Sequence, residues 1–164
     1  MTWRDWYTHD VVNATKGANT TLSAPLGHIN VHIRDGSAIL LHAKPAYTIE
    51  ETRQGPYSLV VSQAADGYAF GSAYIDDGVS SPPVASYYLT FAVTKGKILI
   101  QGRGSFNVKQ QLQTITVLGI NLKPNNVSVQ GRSVTSWQFA QAQGKLSITA
   151  LNVDLNEPVT VEWE

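Results

Sequence analysis

Apolar and polar residues alternate at a period of two along most of this chain, and no window long enough for a full helix carries an i, i+3, i+4, i+7 apolar stripe. A helical bundle is excluded, and a parallel α/β fold has nowhere to put its helices. The chain reads as all-β. In His28–Arg34, Ile29, Val31 and Ile33 fall on one face and His28, Asn30, His32 and Arg34 on the other. Asp35-Gly36 then turns the chain into Ala38-Ile39-Leu40-Leu41, an apolar run of the buried-strand type. Further strands are expected at Tyr57–Ser62, Ala69–Ile75, Ser86–Val93, Ile98–Gly102, Leu112–Leu118, Val127–Val129, Ser136–Ala140, Leu146–Ala150 and Val159–Trp163. Turn signals such as Asp66-Gly67, Lys95-Gly96, Gln130-Gly131 and Gln143-Gly144 punctuate them. Short strands at a spacing of roughly 8–12 residues predict an antiparallel β-sandwich or jelly roll. Glu50–Pro56 interrupts the alternation and marks a seam, and the double proline of Pro82-Pro83 forbids ladder bonds in a loop that starts at Asp77.

The charge balance narrows the partners. Twelve Lys/Arg offset twelve Asp/Glu in 164 residues, and the cations are scattered singly, so nothing favours nucleic acid or an anionic membrane. Charged residues are only 15% against 43% hydrophobic, which leaves a surface of Ser, Thr, Asn and Gln suited to uncharged ligands. A chain of this length buries enough surface to fold without staples, and it has no cysteine. The first residues, Met1-Thr2-Trp3-Arg4-Asp5-Trp6, do not read as a secretory signal. Asn13-Ala14-Thr15, Asn19-Thr20-Thr21 and Asn126-Val127-Ser128 are glycosylation sequons that matter only in a secretory compartment, so localisation stays open.

The residues that could carry chemistry are few. His28 and His32 lie four apart on an expected strand, roughly 13 Å, too far for one zinc with bonds near ~2 Å. No metal or other cofactor is expected. Asp76-Asp77-Gly78 is the densest acidic spot, and glycosidases need paired carboxylates. Neighbours at a strand end point to opposite faces, however, so a self-capping turn is the main expectation and ligand or calcium contact the alternative. Gly102-Arg103-Gly104-Ser105 lacks the helix of a phosphate loop, and neither a G-x-S-x-G elbow nor a thiol is present. Aromatic rings stack on the C–H faces of sugars while Asp, Asn, Gln and Arg bind their hydroxyls. Most of Trp3, Trp6, Tyr7, Tyr74, Tyr87, Tyr88, Trp137 and Trp163 should nevertheless fill the inter-sheet core. Tyr87 and Tyr88 are adjacent on a strand, so one faces in and the other out. Asp76, Asp77, Tyr88 and Trp137 are therefore the expected carbohydrate-binding residues, with no catalytic residue among them.

Ala24–Leu40 closely resembles the stretch that follows the catalytic barrel in family-31 glycoside hydrolases, the α-glucosidase group. Asp5-Trp6-Tyr7-Thr8 resembles that family's aromatic strand, and Ala73-Tyr74-Ile75-Asp76-Asp77-Gly78-Val79-Ser80 its Leu-Tyr-Leu-Asp-Asp-Gly-Glu-Ser turn. Pro45-Ala46 and Glu50-Glu51-Thr52-Arg53 fall in order between them. Asp35, where the family usually has glycine, and Val79, in place of the turn's glutamate, depart from the pattern. The resemblance implies that residues 1–50 belong to a proximal C-terminal sandwich and residues 51–164 to a distal one, packed separately or as one unit. It also implies that no catalytic residue is carried over, because nucleophile and acid sit on a (β/α)8 barrel of roughly 250 residues.

Three expectations follow. With Met1 at its start and no barrel, the chain reads first as a free-standing, non-catalytic, lectin-like sandwich for neutral glycans. The second reading is a purely structural domain that braces the barrel; its exposed apolar patch would favour a homodimer in the barrel's absence. An enzyme in its own right ranks third, because no motif supports it.

Overall fold

A computed structural model describes residues 1–15 and 17–164. The chain begins with two short strands, β1 (Trp3–Asp5) and β2 (His32–Arg34), paired antiparallel as a separate ribbon. β3 (Ser37–His42), the short helix α1 (Ile49–Gln54), β4 (Tyr57–Ser62), β5 (Ala69–Asp76), β6 (Ser86–Thr94) and β7 (Lys97–Gly104) follow. Then come β8 (Leu112–Leu118), β9 (Val127–Val129), β10 (Arg132–Ser133), β11 (Trp137–Ala140), β12 (Lys145–Ile148) and β13 (Val159–Trp163).

β3 to β13 form one eleven-stranded sheet in the order β10-β9-β13-β7-β6-β5-β3-β4-β8-β12-β11. Between β5 and β3 the ladder holds a single pair, Ser37 with Phe70. There the sheet curls on itself, so its two halves become the layers of a β-sandwich. Gly71 sits at this corner: a Cβ on it would overlap the carbonyl oxygen of Ala38, so the close crossing of β5 over β3 requires glycine. The core between the layers takes Leu89, Phe91, Ile100 and Val161 from one half and Leu59, Val61, Ile115 and Leu146 from the other, all fully buried.

The sheet is mixed where an antiparallel one is expected. β4 pairs with β8 in parallel over most of its length, because the chain crosses to the other layer for β5, β6 and β7 before it returns. The strand expected over His28–Arg34 is also shorter, with only His32–Arg34 paired. Its partner β1 stops at Asp5, whose Oδ1 accepts the N–H groups of Tyr7 and Thr8 and turns the chain away. Upstream of His32 the pairing goes no further than the Trp6 N–H on the Val31 carbonyl, and Ile29 is left 76% exposed. Asp35-Gly36 is a turn between sheets, since β2 lies in the ribbon and β3 in the sandwich.

The ribbon covers one outer face. Ile33 and Trp6 pack on Val60, Leu118 and Leu41, which project outward from the β3-β4-β8 layer. With both faces covered, β4 is buried from Leu59 through Ser62, which explains its unbroken apolar run Leu59-Val60-Val61. The opposite layer, β5-β6-β7, buries only its inward residues.

Candidate functional site

The seam expected at Glu50–Pro56 folds as α1. Thr48 caps it, its Oγ1 accepting the Glu51 N–H at 3.2 Å, and Gly55-Pro56 ends it. From its last turn Arg53 reaches the Asp76-Asp77-Gly78 turn. Its Nη2 donates to the Asp76 carbonyl at 2.5 Å and to Asp76 Oδ1 at 3.3 Å. Gly78 has φ of 72°, and a Cβ there would strike the Arg53 guanidinium.

The two carboxylates are occupied by the turn itself. Asp76 Oδ1 accepts the Gly78 N–H at 2.8 Å. Asp77 accepts the Val79 and Ser80 N–H groups, both at 3.0 Å, and the Ser80 hydroxyl at 2.5 Å. The Ser80 hydroxyl first, and those N–H groups next, pull the Asp77 carboxyl down to about 2. Helix and turn together enclose a cleft of about 460 Å3 whose walls include Glu50, Gln54, Tyr57, Phe106 and Gln110. Tyr57 stacks on His42 with centroids 5.0 Å apart. Burial raises the Tyr57 phenol and lowers the His42 imidazole, and the nearby Arg53 charge lowers both.

A second surface lies on the outward face of β5-β6-β7. The register sets Tyr74 opposite Tyr88 and Tyr88 opposite Arg103, with Ser72, Thr90 and Gln101 as the next row and Phe70, Ala92 and Leu99 beyond it. The Arg103 guanidinium carbon lies 5.3 Å from the centre of the Tyr88 ring. Tyr87 faces inward, its ring over Gly102 and its hydroxyl donating to the Asn156 carbonyl at 3.0 Å. Tyr88 faces out.

The four residues singled out from the sequence thus do not meet at one place. Asp76 pairs with Ser86 and is the diagonal neighbour of Tyr88, so these two share the outward face, although the Asp76 carboxylate is turned toward Arg53. Asp77 lies beyond the strand end at the cleft. Trp137 is half-buried on β11 at the far edge of the other layer, packed against the core. Arg53, which the sequence marks only through the family resemblance, and α1 are not among the expected site features, though Thr48-Ile49-Glu50-Glu51 is a capping-box signature. Nor are Tyr74 and Arg103 expected as partners of Tyr88.

The fold and these surfaces define a β-sandwich module, a curled mixed sheet with a docked N-terminal ribbon. No protein-family model matches the chain. An α-glucosidase of Schizosaccharomyces pombe is 38% identical over 149 residues, 91% of this chain and 15% of that protein. One from Aspergillus niger is 40% identical over 132 residues, 80% of this chain and 13% of that protein. Among solved structures, the glucosidase II α subunit with bound α3-Glc2 superposes over 99% of this chain and 20% of its own length, with TM-score 0.78 at 20% identity. The chain belongs to glycoside hydrolase family 31, as the β-sandwich region that lies C-terminal to the catalytic barrel. It spans about 15% of the length of the curated relatives it matches.

Proposed function

We propose that this chain is the non-catalytic accessory sandwich of an α-glucosidase, docking through its N-terminal ribbon onto the catalytic part of the same polypeptide and bracing it. The observation that carries this reading is an apolar surface held in place on the outer side of the ribbon. Tyr7 hydrogen-bonds the Ile29 carbonyl at 3.1 Å, its ring lies 5.3 Å from that of His28, and the Trp6 N–H binds the Val31 carbonyl at 2.9 Å. Ile29 is exposed, and so, fully, is Leu26 three residues before it. Exposed apolar side chains grouped within one short stretch of chain support an interface there. The remaining length of the relatives supplies the occupant, since about 85% of the S. pombe enzyme lies outside the matched 15%.

The test exchanges this chain for the corresponding region of the S. pombe α-glucosidase. The chimaera should be made in good yield and hydrolyse a nitrophenyl α-glucoside. The same chimaera carrying Leu26→Asp and Ile29→Asp should lose most of its yield or heat resistance, while the isolated chain with those changes keeps its melting temperature. Equal yield and heat resistance with and without the two changes would overturn the proposal.

A further inference from the structure

The two outer faces of the sandwich are built differently. The β3-β4-β8 layer is capped by the ribbon, whereas the outward face of β5-β6-β7 carries aromatic rings interleaved with hydroxyls and amides. Phe70 and Tyr74 are 61% and 58% exposed, four residues apart on β5 and so roughly 13 Å from each other. Tyr88 extends the Tyr74 end across to β6. Ser72, Thr90 and Gln101 lie between the two ends.

From this arrangement we infer a binding platform for an extended neutral oligosaccharide, centred on the Tyr74-Tyr88-Arg103 row and running toward Phe70. Rings on a flat sheet offer apolar area to the C–H faces of pyranoses at little entropic cost, since the strand backbone fixes their direction. Arg103 lies over Tyr88 and is preordered by that contact, which leaves its N–H groups to bind sugar hydroxyls. Ser72, Thr90 and Gln101 supply further donors and acceptors along the path. The charge pattern selects against ions. At the next edge Lys97 pairs with Glu162 at 3.0 Å, which leaves Arg103 as the single cation of the Tyr74-Tyr88-Arg103 row, too little charge to select a polyanionic ligand. A ligand with apolar faces, many hydroxyls and no charge is the chemistry that fits.

This inference does not depend on the docking surface, which lies on the other layer. Its test uses the intact chain with maltoheptaose as probe, followed by isothermal calorimetry and by backbone amide NMR shifts. Binding in the millimolar range or tighter is expected, with the shifted amides concentrated in β5, β6 and β7. Tyr74→Ala and Tyr88→Ala should each weaken it by about tenfold. Their melting temperatures should stay close to that of the parent, because both side chains point outward. Ile29→Asp in the ribbon and Gln110→Ala in the cleft should leave affinity unchanged. If maltoheptaose fails, the same titration with cellohexaose and laminarihexaose identifies another neutral linkage. Absence of binding to all three, shifts confined to the α1 cleft, or full affinity in the two tyrosine variants would each overturn the inference.

Discussion

Substituting alanine for Gly78 separates two reasons for a glycine in the Asp76-Asp77-Gly78 turn. The first is backbone strain: at φ of 72° an L-residue pays roughly 1–2 kcal/mol. The second is steric. The new Cβ would occupy the position of the Arg53 guanidinium, the flexible end of a long side chain, so Arg53 swings away and the turn survives. It then gives up its bonds to the Asp76 carbonyl and carboxylate. The two side chains are 35% and 23% exposed, so the ion pair contributes at most about 1 kcal/mol, and the carbonyl bond contributes about 1 kcal/mol more. Gly78→Ala should therefore cost about 2–4 kcal/mol, a drop of roughly 4–16 °C in Tm for a domain of this size. In an Arg53→Ala background the same alanine meets no guanidinium and only the strain remains. Urea denaturation of the two single variants and the double variant should give a double mutant less destabilised than the sum, with a coupling of about 1–2 kcal/mol. Additivity within about 0.5 kcal/mol would refute the contact between helix and turn.

Gly71→Ala should destabilise the sandwich by about 3 kcal/mol in the same denaturation assay, because the obstacle is the Ala38 backbone oxygen, which cannot move without opening the corner between the layers. A cost below ~1 kcal/mol, the penalty of an unhindered site, would contradict that geometry. The His42 imidazole is held below its ordinary 6.5, by burial first and then by Arg53, while the unfolded chain keeps the ordinary value. The unfolded state thus takes up the proton first, so stability is full above pH 6.5 and falls as the pH drops through that value toward the folded one. His9, lowered mainly by burial, acts in the same direction. Melting temperatures from pH 8 to pH 5 should fall more steeply for the parent than for His42→Gln, and identical slopes would remove His42 from the account.

Much of the sandwich was legible because its strands obey one rule. β4, β8, β9 and β13 run between the residues expected, since their inward side chains are apolar and glycine closes β8 directly and β9 one residue later. His28–Arg34 misled for the same reason. Its alternation is perfect, but alternation reports only that a strand could form, and the short partner β1 decides how much of it does. α1 was hidden because six residues hold less than two turns, too few for an apolar stripe, and none of them is buried. The candidate platform was half visible. That Tyr87 and Tyr88 face opposite ways follows from parity, and the pairing of Tyr88 with Arg103 follows from the two-residue turn Lys95-Gly96 between β6 and β7, whereas the pairing of Tyr74 with Tyr88 depends on register across the long loop between β5 and β6, which no local sequence signal sets.

The contrast between the two outer faces bears on what the ribbon is for. Leu26 and Ile29 stand exposed in the segment whose Ile29 carbonyl accepts the Tyr7 hydroxyl. Burying each apolar side chain is worth about 1.5–3 kcal/mol, so these residues alone could supply several kcal/mol to a partner. A free partner would have to overcome the entropy of association with that sum, and the affinity would be weak. A partner joined through the polypeptide starts at an effective concentration in the millimolar range, where a few kcal/mol suffices for nearly complete docking. A modest, rigid apolar patch is therefore matched to an intramolecular neighbour. The Tyr74-Tyr88-Arg103 face, with its rings diluted by hydroxyls and amides, suits a soluble ligand that must also be released.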